Sequence, residues 1–272
     1  MSNAPVPSRS LLLLLVALTA LGEVSTQLII PGLGAIEQAL VAPPGSALMA
    51  LSAFVAAFGL GQLVFGPLSD RIGRRPVLIG GLLLYVLATL SMLLVSDMHQ
   101  FIAARVLQGL GACAALVLAR TVVRDVWKAE AGPALALTMI GMLYAIVVAP
   151  MVGGLLIKLL GWHAPILLAL VIGSVVLLLA LRFFRESNAY LDPKAGHWRT
   201  LGGQYLDLLK GRPYRAFAVA LACTYGAMFA VIAGSSAVFI NLLGFSSLEY
   251  GINFGVLVSM LIVGSTYTRR NI

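Results

Sequence analysis

The stretch Gly66-Pro67-Leu68-Ser69-Asp70-Arg71-Ile72-Gly73-Arg74-Arg75-Pro76 sets four charges between two long uncharged runs. Upstream, Ala47 to Phe65 carries no charge; downstream, Val77 to Val95 carries none either. Each run approaches the roughly 20 residues that cross a bilayer core. Asp70, Arg71, Arg74 and Arg75 are therefore expected in a very tight loop at one membrane face. An anchor at that face needs only the arginines. The added Asp70, with Gly66 and Gly73 at the two ends, predicts a hinge.

Composition points the same way. The chain is 60% hydrophobic and 10% charged, with a mean hydropathy of +1.00, far from the balance of a soluble domain. Its net charge of +8 is gathered at the ends of apolar runs, which indicates membrane orientation and argues against nucleic-acid binding. Cys113 and Cys223 lie within apolar runs without paired spacing, and packing roles are expected for both. His99, His163 and His197 lack metal-ligand spacing, and neither a nucleophile-elbow nor a phosphate-loop motif is present. An enzyme, a metal site and a cofactor are not expected.

Apolar runs of helix length predict about eight spans, near 11–36, 47–66, 76–96, 99–121, 133–158, 164–184, 214–241 and 250–268. The first is too long for the apolar part of a signal peptide and is read as uncleaved. With the N-terminus inside, sixteen of the eighteen lysines and arginines fall on the cytoplasmic side. Lys158 falls outside, and Arg105 falls within a span. This asymmetry predicts a cytoplasmic N-terminus. The division expected is a six-helix membrane domain over 1–186, a cytoplasmic loop over 187–212 and a partial second membrane domain over 213–272. Within the loop, Leu201–Leu209 is expected to form an amphipathic helix on the inner leaflet.

Two charges lie inside spans. Glu23 is about 18 Å along the first span, where a carboxylate must face protein or water or take up a proton. It is the group expected to bind and release protons. Gln27, one turn on, shares its face, and Pro31 bends the outer half of the helix. Arg105 lies about 10 Å from the outer end of the fourth span, and either pairs with Glu23, shares a water cavity with it, or snorkels outward. Gln108 adds a polar reach beside it, with Gly109 and Gly111 as a close-packing surface. In the fifth span, Ala149, Pro150, Gly153 and Gly154 offer small residues for close helix approach, and Tyr144 faces a cavity or lipid.

Several of these motifs resemble those of the major facilitator superfamily. Gly66 to Arg75 resembles the signature loop between its second and third helices. Arg105-Val-Leu-Gln108-Gly109-Leu-Gly111 resembles the fourth-helix motif of its proton-coupled members, and Ala149-Pro150-Met-Val-Gly153-Gly154 resembles the fifth-helix antiporter motif. Ala119-Arg120-Thr-Val-Val-Arg124-Asp125 is similar to the Bcr/CflA branch, which exports drugs in exchange for protons. Gln27 stands where that branch carries a first-helix acid, and Glu23 one turn earlier is expected to take its role. Ala149 stands where many antiporters have glycine.

The resemblance implies an all-α membrane fold, here the N-terminal six-helix bundle and about two helices of the second. It implies an inner-membrane, monomeric efflux transporter that exchanges small-molecule drugs for protons. A transporter of a metabolite, or a non-transporting fragment, are the alternatives. The residues implied for coupling are Glu23 and Arg105. Glu23, Gln27, Arg105, Gln108 and Tyr144 would line the cavity, and the gating loop would comprise Gly66, Asp70, Arg71, Gly73, Arg74, Arg75 and Arg124. Asp70, at the positive end of the third span, is expected to pair with Arg124. Gly153 and Gly154 are expected against a helix of the opposite half.

Overall fold

The computed structural model describes residues 7–188, 190–193 and 198–271. Lys194 and His197 lie outside the described residues, as do the side chains of Arg199, Arg269 and Arg270. The described chain is helical, in the order α1 (Arg9–Gln27), α2 (Leu33–Ala39), α3 (Ser46–Ile72), α4 (Arg74–Ser91), α5 (Met98–Trp127), α6 (Ala131–Leu160), α7 (His163–Phe183), α8 (Trp198–Lys210), α9 (Arg212–Ser236) and α10 (Ser247–Asn271). Among the described residues, six stretches are long and apolar enough to cross a bilayer. One of them, Met98–Leu160, contains both α5 and α6, joined by a 3-10 turn over Lys128–Glu130. The eighth expected span forms the 25-residue α10, which is not among the six.

Helix ends follow local chemistry. Ser8 caps α1 by accepting from the Leu11 N–H at 3.2 Å, and Asp97 caps α5 by accepting from the Gln100 N–H at 2.9 Å. Glu37 accepts from the Ala47 N–H at the start of α3, 2.9 Å away. At α10 the Glu249 carboxylate accepts from the Ser246 N–H (2.8 Å) while the Ser246 hydroxyl accepts from the Glu249 N–H (3.2 Å), a reciprocal cap. Glu37, Asp97 and Glu249 are thus all spent on helix N-termini.

Two expectations change here. The tight loop over 66–76 is a single residue: α3 stays helical through Ile72 and α4 begins at Arg74. Gly66 is inside α3, with nothing within 4 Å of where a Cβ would stand. The first span is interrupted as well as bent. Pro31 has no N–H for the Gln27 carbonyl, so α1 ends at Gln27 and a 3-10 turn over Ile30–Gly32 leads into α2.

The bundle centres on α5, which packs on α3, α4 and α1, while α6 packs on α1 and α10. In α4, Leu78, Leu82, Tyr85 and Thr89 are buried at helical spacing, whereas Leu83, Leu87 and Leu90 are exposed. That division suits a helix with one face to protein and one to lipid. Lipid supplies little hydrophobic drive between helices, so close packing of small residues matters more. A Cβ at Gly109 would stand 2.5 Å from the Phe54 carbonyl oxygen, and one at Gly111 2.5 Å from the Tyr85 nitrogen. Cys113 is buried in this packing, but Cys223 is exposed on α9.

Candidate functional site

At the basic end of the bundle the charges converge on Arg74, which is 7% exposed. Its Nη1 donates to Asp70 Oδ1 at 2.5 Å and to Ser69 Oγ at 2.6 Å, and its Nε donates to Asp125 Oδ2 at 3.2 Å. One guanidinium therefore joins α3, α4 and α5, which its planar fork allows and an ammonium does not. Asp70 pairs with Arg74, not with Arg124, whose side chain is exposed. One residue along the helix, Asp125 lies about 100° around α5 and faces inward in its place.

The carboxylate at the positive end of α4 is that of Glu186, not Asp70. Glu186 Oε1 accepts from the Arg74 N–H and Oε2 from the Arg75 N–H, each at 2.9 Å, where unpaired amides and the helix dipole favour an anion. Gly73 makes room for it. A Cβ there would stand 2.8 Å from Glu186 Oε2, and its φ of +105° with ψ of 154° is a conformation open essentially to glycine. The following chain closes the other helix end: Asn188 Nδ2 and the Asp192 N–H both donate to the Asp70 carbonyl. Arg75 Nη2 donates to the Leu181 carbonyl in the last turn of α7. Arg71 is exposed.

The second cluster lies within the membrane. Arg105 is 1% exposed, so it does not snorkel outward. Its Nη1 donates to Gln108 Oε1 and, at 3.3 Å, to the Ser25 carbonyl, and the Phe54 ring covers its face with the centroid 4.2 Å from Cζ. Gln108 Nε2 donates to Thr89 Oγ1 at 2.8 Å. Tyr85, fully buried, holds Ser25 Oγ at 2.6 Å. Ser25, Tyr85 and Thr89 escape notice in the sequence because hydroxyls in apolar helices commonly bond their own backbone, as Ser25 does to Leu21 and Thr89 to Tyr85.

Glu23 is half-buried on α1, and among the described residues no ion pair joins it to Arg105. The reason is helical phase. Ser25 faces Arg105, and Glu23, two residues earlier, points about 200° around the helix. It lies on the side of Val16, which meets Gly141 of α6. Gln27 is buried on that side, and among the described residues its Oε1 has no partner. Tyr144 is exposed on α6.

The fifth-helix motif divides. Gly153 packs against the carbonyl of Leu28, which caps α1, whereas Gly154 packs against the Ser247 carbonyl at the start of α10. In return Gly251 of α10 packs against the Pro150 carbonyl. Glycines on both helices bring the backbones together. Ala149 and Pro150 are buried beside them.

The sequence profile of the Major Facilitator Superfamily matches residues 12–272. The chain belongs to this superfamily. Multidrug resistance protein D of Escherichia coli is 30% identical over 262 residues, covering 96% of this chain and 66% of that protein. A chloramphenicol resistance protein of Pseudomonas aeruginosa is 36% identical over 154 residues, covering 56% of this chain and 37% of its own length. The chain thus spans less than two-thirds of the length of these relatives. The solved structure of a bacterial homologue of the human lysosomal transporter Spinster superposes with a TM-score of 0.71 at 16% identity, covering 94% of this chain and 60% of that one. At that identity the likeness is one of fold. Facilitator-superfamily proteins are transporters, not enzymes. The all-α architecture and the multi-pass membrane chain find their place in this superfamily.

Proposed function

We propose that this facilitator-superfamily chain works in the efflux of small-molecule drugs across the inner membrane in exchange for protons, as a monomer with a cytoplasmic N-terminus. The observation that carries the reading is Glu23: an acid within a membrane span, half-buried and, among the described residues, in no ion pair. The outer acids Glu37, Asp97 and Glu249 are occupied as helix caps, and intramembrane acids mark proton relays. Similarity to proteins named for multidrug and chloramphenicol resistance supports drugs as the cargo class.

In this reading two six-helix halves rock about a midplane cavity. Protonation of Glu23 and occupancy by drug exclude one another, so each inward proton displaces substrate outward. Gln27, Gln108 and Tyr144 line the path. The Arg74–Asp70–Asp125 cluster latches the cytoplasmic face when the cavity opens outward, and the Gly154–Ser247 contact is where the halves meet. Proton release on adding chloramphenicol or the lipophilic cation tetraphenylphosphonium to the detergent-purified, full encoded protein tests this. Wild type is expected to release protons and Glu23→Gln to release none. Release by Glu23→Gln equal to wild type would move coupling to another acid.

A further inference from the structure

Arg105 is held on two sides and free on one. Its Nη1 hydrogens go to Gln108 and the Ser25 carbonyl, and Phe54 covers its face. Its Nε and Nη2 are buried and, among the described residues, have no partner. These two nitrogens share one edge of the planar guanidinium, the fork that matches a carboxylate.

The bonds that hold the other edge belong to a directional network through Ser25, Tyr85, Thr89 and Gln108. Ser25 gives its only hydroxyl proton to the Leu21 carbonyl at 2.6 Å, so Tyr85 is the donor in the 2.6 Å Tyr85–Ser25 bond. That bond is far shorter than the 3.4 Å from the Tyr85 hydroxyl to the Ala169 carbonyl. Thr89 donates to the Tyr85 carbonyl and accepts from Gln108 Nε2. Gln108 must therefore turn its oxygen toward Arg105. Thr89 and Gln108 cannot reverse without setting donor against donor, and at Tyr85 the shorter contact sets the direction.

We propose that Tyr85, acting through Ser25 and Thr89, is a positioning residue for the exchange cycle: it locks α1 in the phase that presents Ser25 to Arg105 and keeps Glu23 away. The inference rests on the proton-exchange reading above. For the Glu23 carboxylate to reach the free Nε–Nη2 edge, α1 must turn, and that turn breaks the Tyr85–Ser25 bond. The Tyr85 hydroxyl thus sets how readily Glu23 meets Arg105. Helix-end charges aside, the titratable groups on the helices packed against α5 are Tyr85 on α4, Glu23 on α1 and the exposed Tyr144 on α6; α3 presents the uncharged Phe54. On α5 itself Cys113 adds to Arg105 in the middle of the span, with His99 and Arg120 toward its two ends.

Tyr85→Phe keeps the ring against Gly173 and the Cβ against Gly111, and removes only the hydroxyl. The readout is the pH midpoint of proton release triggered by chloramphenicol or tetraphenylphosphonium in the full encoded protein. With the lock released, Arg105 favours ionised Glu23, and the midpoint moves toward acid by about 1 pH unit. Ser25→Ala removes the same bond from the α1 side and is expected to do the same, so the test stands if Tyr85→Phe fails to fold. Thr89→Ser, which keeps its hydroxyl, is expected to match wild type. Proton release by wild type with an unmoved or alkaline-shifted midpoint in both Tyr85→Phe and Ser25→Ala overturns the positioning role and leaves proton exchange standing. Absence of proton release from wild type overturns proton exchange itself, and the positioning role with it.

Discussion

Gly73 lies directly under the Glu186 carboxylate, close enough that a single methyl group on residue 73 would stand 2.8 Å from Glu186 Oε2. The turn between α3 and α4 is thus built around a residue more than a hundred positions away.

Gly73→Ala should therefore fail twice, by backbone conformation and by collision. A non-glycine residue at φ +105° costs on the order of 1–3 kcal/mol, and displacing Glu186 uncaps α4. A lower apparent melting temperature in detergent than for Gly66→Ala is the expected result. Gly66→Ala should be tolerated, because open space surrounds that position.

Arg74→Lys keeps the charge and loses the fork. One ammonium cannot reproduce the contacts to Ser69, Asp70 and Asp125 together. Drug export by the full encoded protein, read as host drug tolerance, is expected to fall for Arg74→Lys and for Asp125→Asn. Arg124→Gln should remain near wild type, since that side chain is exposed.

Gly154→Leu drives a side chain into the Ser247 backbone of α10. Overpacking of this kind costs about 1–3 kcal/mol. The expected outcome is loss of export together with reduced thermal stability, whereas Gly161→Ala should affect stability through its φ of +82° alone and leave the α6–α10 contact intact.

Pro67 inside α3 provides no N–H for the Leu63 carbonyl, and the Tyr205 hydroxyl of α8 supplies that donor at 2.9 Å. Tyr205→Phe removes one exposed hydrogen bond, worth about 0.5 kcal/mol. Limited proteolysis of the segment around α8 should accelerate by about twofold, with little change in the melting of the membrane bundle.

Much of this was readable locally. The spans follow from uncharged runs, and Gly73 with its flanking arginines marks the turn because both signals lie within a few residues. Gly154 and Pro150 announced close packing for the same reason. Charge at a shared membrane face points Asp70 to Arg124; helix phase decides instead for Arg74, with Asp125 as its second carboxylate. Glu186 carries no local sign of its role, since its partners are the backbone amides of residues 111 and 112 positions earlier. Tyr85 and Ser25 were invisible because a hydroxyl sixty residues from its partner looks like any other.

The partners of Arg105 have a further consequence for how the chain is made. Ser25 and Thr89 both precede Arg105 in the sequence, as does Phe54. During synthesis from the N-terminus, α1, α3 and α4 leave the ribosome before α5. When the arginine arrives at the bilayer, every group outside its own helix that will shelter it is already there. Insertion of α5 alone would strand a cation in hydrocarbon; insertion last among these four helices delivers it to a prepared berth.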